Sequence, residues 1–243
     1  MEFLNFPKTR VKLPNEYIKI YDKHYLENRE GLTKVSNFTS KIESWMHKKV
    51  AHSSNENAVT LEIGAGTLNQ LPYEKSCIYD IVEPYLGLYE NSPHLSKVRR
   101  TFNDVMEITG KDEGYDRIIS IATFEHILNL PDIVAYSCKL LNPNGVMSVA
   151  IPNEGRFLWK FAYTISTGLE FKMRYGLDYR KLMNYEHCNN ADEIEEILRF
   201  FYNDVKVRFF GISRTFSLYR HFECRIPNFE NLNLYLEGKK MLF

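Results

Sequence analysis

Features that would tie the chain to a metal, a disulfide framework or a bilayer are missing. The four cysteines, Cys77, Cys138, Cys188 and Cys224, stand far apart, with no CxxC pair and no histidine at zinc-ligand spacing. Neither a metal site nor a set of disulfides is therefore predicted, and a reducing cytoplasm fits best. No run of about 18 uncharged apolar residues is present to span a membrane. The opening MEFLNFPKTRVKLPNEY also lacks the continuous apolar core of a secretory signal. A soluble, unexported protein without stable membrane insertion is expected. Net charge is absent too, since Lys plus Arg and Asp plus Glu each number 31. That leaves no excess to hold a polyphosphate by counterion release, so nucleic acid is not an expected partner.

What the chain has in quantity is aromatic side chains, 14% with 16 Tyr and 16 Phe, read first as core. Its 243 residues suffice for one large domain. We read 1–57 as an N-terminal helical cap, 58–152 as a cofactor-binding core, 153–190 as a lid or substrate insertion, and 191–243 as a last helix and terminal hairpin. Two helices are predicted over 15–51, from Tyr17, Ile20, Tyr21 and Tyr25 and then Val35, Phe38, Ile42, Trp45, Met46 and Val50, with a break near Gly31. Strands follow at AVTLEIG (58–64), CIYDIVEP (77–84), KVRRTFND (97–104), YDRIISIAT (115–123) and GVMSVAIP (145–152). Helical stretches are expected near 85–90 and over 130–141. This alternation predicts an α/β fold, a doubly wound, Rossmann-like and mostly parallel sheet of seven strands. A helix at 191–201 and strands at 204–212 and 216–226 close it, the last strand antiparallel.

The sharpest local feature is TLEIGAGTLNQL at 60–71, where Gly64 and Gly66 follow a strand. Glycines allow a turn at positive φ and close backbone approach, and a helix starting there favours an anionic group. A dinucleotide-binding turn begins the same way, but needs a third glycine where this chain has Asn69. Glu83, ending the next strand, is placed to accept hydrogen bonds from ribose hydroxyls of either NAD or another nucleoside cofactor.

In order and spacing these segments resemble the class I S-adenosylmethionine (SAM)-dependent methyltransferases, in particular the broad bacterial group acting on small molecules and sugars. The resemblance covers about 58–155 well. It implies that Glu62, Gly64, Ala65 and Gly66 hold the methionine part of SAM, that Glu83 binds its ribose, and that Asp104 and Val105 read its adenine. It places Ala122 and Thr123 beside the sulfonium. Helices before the first strand often cover the cofactor in this family, which gives Tyr25 and Arg29 a route to the SAM carboxylate, against the plainer reading of a solvated amphipathic helix. Where the family often has a further glycine, this chain has Leu68.

Methyl transfer is an in-line displacement that depends mainly on alignment, with a base needed for a hydroxyl or similar acceptor. Candidate catalytic groups are His126 with its neighbour Glu125, after the fourth strand, and His187 before the 191–201 helix. Asn153 and Glu154 are candidate substrate contacts, or simply a turn, and His221 within a strand reads as structural. The implied cofactor is SAM and the implied partner a small molecule, a sugar or sugar nucleotide. Two other readings stay open. One is an NAD-dependent oxidoreductase or epimerase, although Tyr175 and Tyr179 lack the Lys such a catalytic pair needs. The other is a non-catalytic SAM-binding module.

Overall fold

The computed structural model describes residues 3, 5–18, 20, 37–109, 114–155 and 168–240. Seven strands form one sheet: β1 (Val59–Ile63), β2 (Ile78–Val82), β3 (Arg100–Phe102), β4 (Tyr115–Ile121), β5 (Leu141–Pro152), β6 (Tyr202–Gly211) and β7 (Ser217–Pro227). Their order is β3-β2-β1-β4-β5-β7-β6. The first five run parallel, whereas β7 is antiparallel to both β5 and β6. This is the predicted Rossmann-like sheet with its reversed last strand.

Side chains that alternate along the strands supply two cores, as the period of a strand requires. On one face Leu61, Ile63, Ile118, Met147, Val149 and Phe222 pack with α2 (Leu130–Leu140), α5 (Ala191–Phe201) and α6 (Phe229–Lys240). On the other, Tyr79, Ile81, Ile119, Ile121 and Ala150 meet Met46 and Val50 of α1 (Asn37–Ala51). Two further helices, α3 (Leu169–Tyr175) and α4 (Tyr179–Glu186), occupy the described part of the expected insertion. Most of the aromatic run at 156–171 lies outside the described residues.

Three expectations are corrected. No α-helix follows the glycine turn: residues 67–70 form turns and Leu71–Tyr73 a single 3-10 turn with Pro72 inside it. A crossover confined to 64–77 is close to the shortest that can join parallel strands, and no helix N-terminus is there to favour an anion. The stretch near 85–90 likewise holds only a 3-10 turn at Leu86–Leu88. Conversely, α6 was not foreseen. Its Leu232 and Tyr235 join the core, and the Asn228 side chain accepts the Asn231 amide at 3.1 Å, capping its start.

The helix-free crossover is held by charge. Arg117 of β4, 1% exposed, donates to Glu74 at 2.6 Å, to Thr60 Oγ1 at 3.0 Å, to Ser53 Oγ at 3.1 Å and to the Val50 carbonyl at 3.1 Å. The Glu74 side chain is itself only 1% exposed. Arg117→Met leaves that carboxylate buried without its partner, a change expected to cost about 3–5 kcal/mol in urea unfolding. Adding Glu74→Gln should restore much of the loss; a small effect from the single variant would refute the role of this pair.

Candidate functional site

The carboxyl ends of β1, β2 and β4, where ligands bind in open α/β sheets, open into a cavity of about 740 Å³. Its wall includes Glu62, Gly64, Ala65, Gly66, Glu83, Asp104, Val105, Ala122, Thr123, Glu125, His126 and His187, so these candidates from the sequence converge on one space, whereas Asn153 and Glu154 are not among its lining residues. Tyr25 and Arg29 lie outside the described residues.

At the end of the cavity beside β1 and β2 the backbone is tightly wound. Gly64 and Gly66 have φ of +73° and +52°, and Leu68 and Ala122 share that left-handed region at +67° and +49°. A side chain on Gly64 would collide with Thr123, whose hydroxyl donates to the Gly64 carbonyl at 3.2 Å. Leu68, where a glycine was expected, keeps the glycine-like backbone. The left-handed conformation costs about 1–2 kcal/mol, which burying a leucine completely offsets with about 1.5–3 kcal/mol.

Three carboxylates face this end. Glu83 accepts the Gly66 amide at 2.9 Å and the Tyr85 amide at 3.1 Å, fastening β2 to the glycine turn. One bond to each oxygen leaves further acceptor capacity on both. Glu62, 3% exposed, accepts the Tyr79 hydroxyl at 2.8 Å. Burial pushes its carboxyl up to about 8, and the charges of Glu74 and Glu83 add to this. Asp104 caps the turn at Val105–Glu107 by accepting the Met106 amide at 2.9 Å.

At the opposite end a turn at Phe124–His126 meets the end of α4. The amides of Cys188 and Asn189 donate to the Glu125 carbonyl at 2.7 and 3.0 Å, and the Asn189 side chain donates to the carbonyls of Phe124 and Ile127 at 2.8 and 2.7 Å. The His126 and His187 rings sit edge to face with centroids 4.7 Å apart. His126 Nδ1 bonds the Glu186 carbonyl at 3.1 Å, and His187 Nδ1 bonds the Glu154 carboxylate. Burial pulls the His187 imidazole down, but the Glu154 bond and the nearby carboxylates outweigh it and hold the group above its ordinary value.

Several wall residues carried no signal that sequence reasoning used. Arg10 donates to the carbonyls of Tyr185, Glu186 and His126 at 2.8, 3.0 and 3.2 Å, strapping the N-terminal segment over both histidine loops. Leu182 and Met183 of α4 also line the cavity, and the amphipathic pattern behind the Asp178 cap could have located them. Asn153 is a correction: fully buried, it donates to Ser217 and the Arg214 carbonyl and accepts from Arg220 at 2.6 Å, so it braces β7 and does not face the cavity. His221 is buried as well, bonded to Ser148 at 2.8 Å and pushed down to about 4 by burial.

No protein-family model and no curated protein matches this sequence. Solved structures do. The chain is similar to a SAM-dependent methyltransferase from Thermotoga maritima, with 14% identity, a TM-score of 0.55 and coverage of 86% of this chain and 97% of that one. It is similar to phosphoethanolamine N-methyltransferase 2 of Haemonchus contortus in complex with phosphomonomethylethanolamine and S-adenosylhomocysteine, with 11% identity, a TM-score of 0.56 and coverage of 89% and 61%. A plantazolicin methyltransferase bound to a pentazolic desmethyl analog and SAH matches with 14% identity, a TM-score of 0.55 and coverage of 87% and 91%. At such identities the likeness is one of architecture: the chain has the fold of the class I SAM-dependent methyltransferases.

Proposed function

We propose that this chain transfers a methyl group from SAM to a small-molecule acceptor, and in the finer form of the reading to a hydroxyl of a sugar or polysaccharide precursor. The observation that carries the choice of cofactor is the charge of the cavity wall. Glu43, Glu83, Asp104, Glu125 and Glu186 line it, with Glu62 as a further carboxyl that ionises when a cation binds beside it, and Arg10 is the sole Lys or Arg among its described lining residues. SAM is cationic at its sulfonium and ammonium, whereas NAD carries a diphosphate. An acidic wall without a helix N-terminus beside the glycine turn suits the first and repels the second. This argues against the oxidoreductase alternative more strongly than the missing third glycine does.

In this reading Glu62 and the amides of the 64–66 turn bind the methionine part, Glu83 the ribose, and Asp104 with Val105 the adenine. Ala122 and Thr123 form the floor under the reacting centre, and the residues around Glu125, His126 and His187 receive the acceptor. SAM supplies an electrophilic methyl on sulfur. The protein's contribution is alignment and exclusion of water, with a cavity volume inside the roughly 300–1,000 Å³ usual for small-ligand sites.

Isothermal titration with SAM, its demethylated product and NAD tests the reading directly. SAM and the product should bind and NAD should not, and Glu83→Ala should weaken SAM by about 1.5–3 kcal/mol through loss of a charge-assisted contact. NAD binding alone, or no binding, would refute the proposal; unchanged SAM affinity in the variant would remove Glu83 from the site.

Glu62 provides a pH test. With its carboxyl at about 8 in the ligand-free protein, it is mostly protonated at pH 7. An ammonium beside it lowers that value, so binding releases a proton and SAM affinity rises with pH until about 8, then levels. Titration at pH 7 in two buffers of different ionisation heat should detect this release in the wild type and find it reduced in Glu62→Gln. Equal release in both would count against Glu62.

A further inference from the structure

Glu125, His126 and His187 each offer a ligand atom, and these atoms all lie within 4.8 Å of one another. They come from two chain segments some sixty residues apart, which explains why no ligand spacing is visible in the sequence. Bonds to a divalent transition metal of about 2.0–2.2 Å put neighbouring ligand atoms roughly 3–3.5 Å apart. Modest side-chain rotations therefore close the set around one ion.

The surroundings orient the two imidazole rings as a metal requires. A carbonyl has no proton to give, so the bond of His126 Nδ1 to Glu186 fixes that nitrogen as the donor. The Glu154 carboxylate fixes His187 Nδ1 in the same way. Each neutral imidazole is then left with an unprotonated Nε2, the arrangement that outer carboxylates and carbonyls impose on metal-ligating histidines. The Glu125 carbonyl bonds to Cys188 and Asn189 keep the two ligand-bearing segments in register. Arg10, which lines the cavity nearby, is committed to backbone carbonyls.

We infer that Glu125, His126 and His187 form a binding site for one divalent transition cation at the acceptor end of the cavity, with Glu154 and Glu186 orienting the imidazoles. Two nitrogens and one carboxylate suit Zn²⁺, Mn²⁺ or Fe²⁺ better than the oxygen-seeking Mg²⁺ or Ca²⁺. Three protein ligands leave positions open for oxygen, so the acceptor class is a molecule presenting a hydroxyl, or two adjacent hydroxyls, to the cation. This consequence rests on the methyl-transfer reading. The coordinated hydroxyl loses its proton to solvent, its oxygen bonds to the methyl carbon, and the carbon–sulfur bond breaks with its electron pair left on sulfur as a neutral thioether. The histidines then act as ligands, with the cation lowering the hydroxyl's pKa.

The test uses the full chain without an affinity tag, freed of metal by a chelator. Calorimetric titration with Zn²⁺ and with Mn²⁺ should show one tight equivalent, Mg²⁺ should not replace it, and the melting temperature should rise with Zn²⁺ concentration. His126→Gln and His187→Gln should each abolish that equivalent, and Glu154→Gln should weaken it about 10–100-fold. SAM titration and circular dichroism on the same variants establish that they are folded. Absence of stoichiometric uptake by the wild type, or its persistence in both histidine variants, overturns the site. Absent uptake with SAM binding intact removes the cation and leaves methyl transfer standing; metal uptake without SAM binding does the reverse.

Discussion

The geometry of the cavity depends on the guanidinium of Arg117. From the middle of the sheet it reaches the end of α1 through Val50 and Ser53, the neighbouring strand through Thr60, and the β1–β2 crossover through Glu74. That crossover begins with the glycine turn and has no helix to lay across the sheet. Leu68 and Leu71 are its buried apolar anchors, and the ion pair supplies the remaining restraint. A buried pair offsets its desolvation only when hydrogen bonds satisfy both partners. Arg117 meets that condition, with four acceptor residues from three separate stretches of chain.

Strain collects where this restraint is applied. Leu68 and Ala122 hold positive φ at the carboxyl ends of β1 and β4, and the close approach of Gly64 to Thr123 locks those ends together. Such conformations persist only where surrounding packing over-determines them. Here the packing is the continuous apolar face formed by Leu68, Tyr79, Ile81, Ile119 and Ile121 beneath α1. The floor of the cavity is thus rigid, while its roof is assembled from the N-terminal strap and α4.

The sheet was legible because its strands are β-branched and apolar runs whose alternation matches two buried faces, and α5 because its apolar residues recur at helical spacing. That Glu62, Glu83 and Ala122 would line one cavity was legible for a related reason: each sits at the end of a strand, so locating the strand locates the residue. The same reasoning fails where contacts are distant. Nothing local marks Lys8, which pairs with Glu193 at 2.7 Å, or Arg10. Nor does a local pattern tell that Asn153 turns inward to Arg220 while Glu154, its neighbour, turns to His187. The crossover was misread because a glycine turn after a strand usually precedes a helix, whereas Pro72 and the short span before β2 admit only a 3-10 turn. In α6 the apolar positions are too few to announce a buried face.

Net charge misleads in the same way, since a total of zero conceals a separation of signs. Arginines are taken up as internal braces: Arg117 on Glu74, Arg99 and Arg100 on Asp80, and Arg220 on Asp192 and Glu195. Each brace lies within the body of the sheet or at its edge, away from the carboxyl ends of β1, β2 and β4. Carboxylates, by contrast, remain concentrated at those ends, where Glu83 is held by backbone amides and Glu62 by a tyrosine. Neither restraint brings a positive charge into the cavity. A neutral chain can therefore present a cavity wall in which acidic groups outnumber basic ones, because its field depends on where the arginines are used, independently of how many there are.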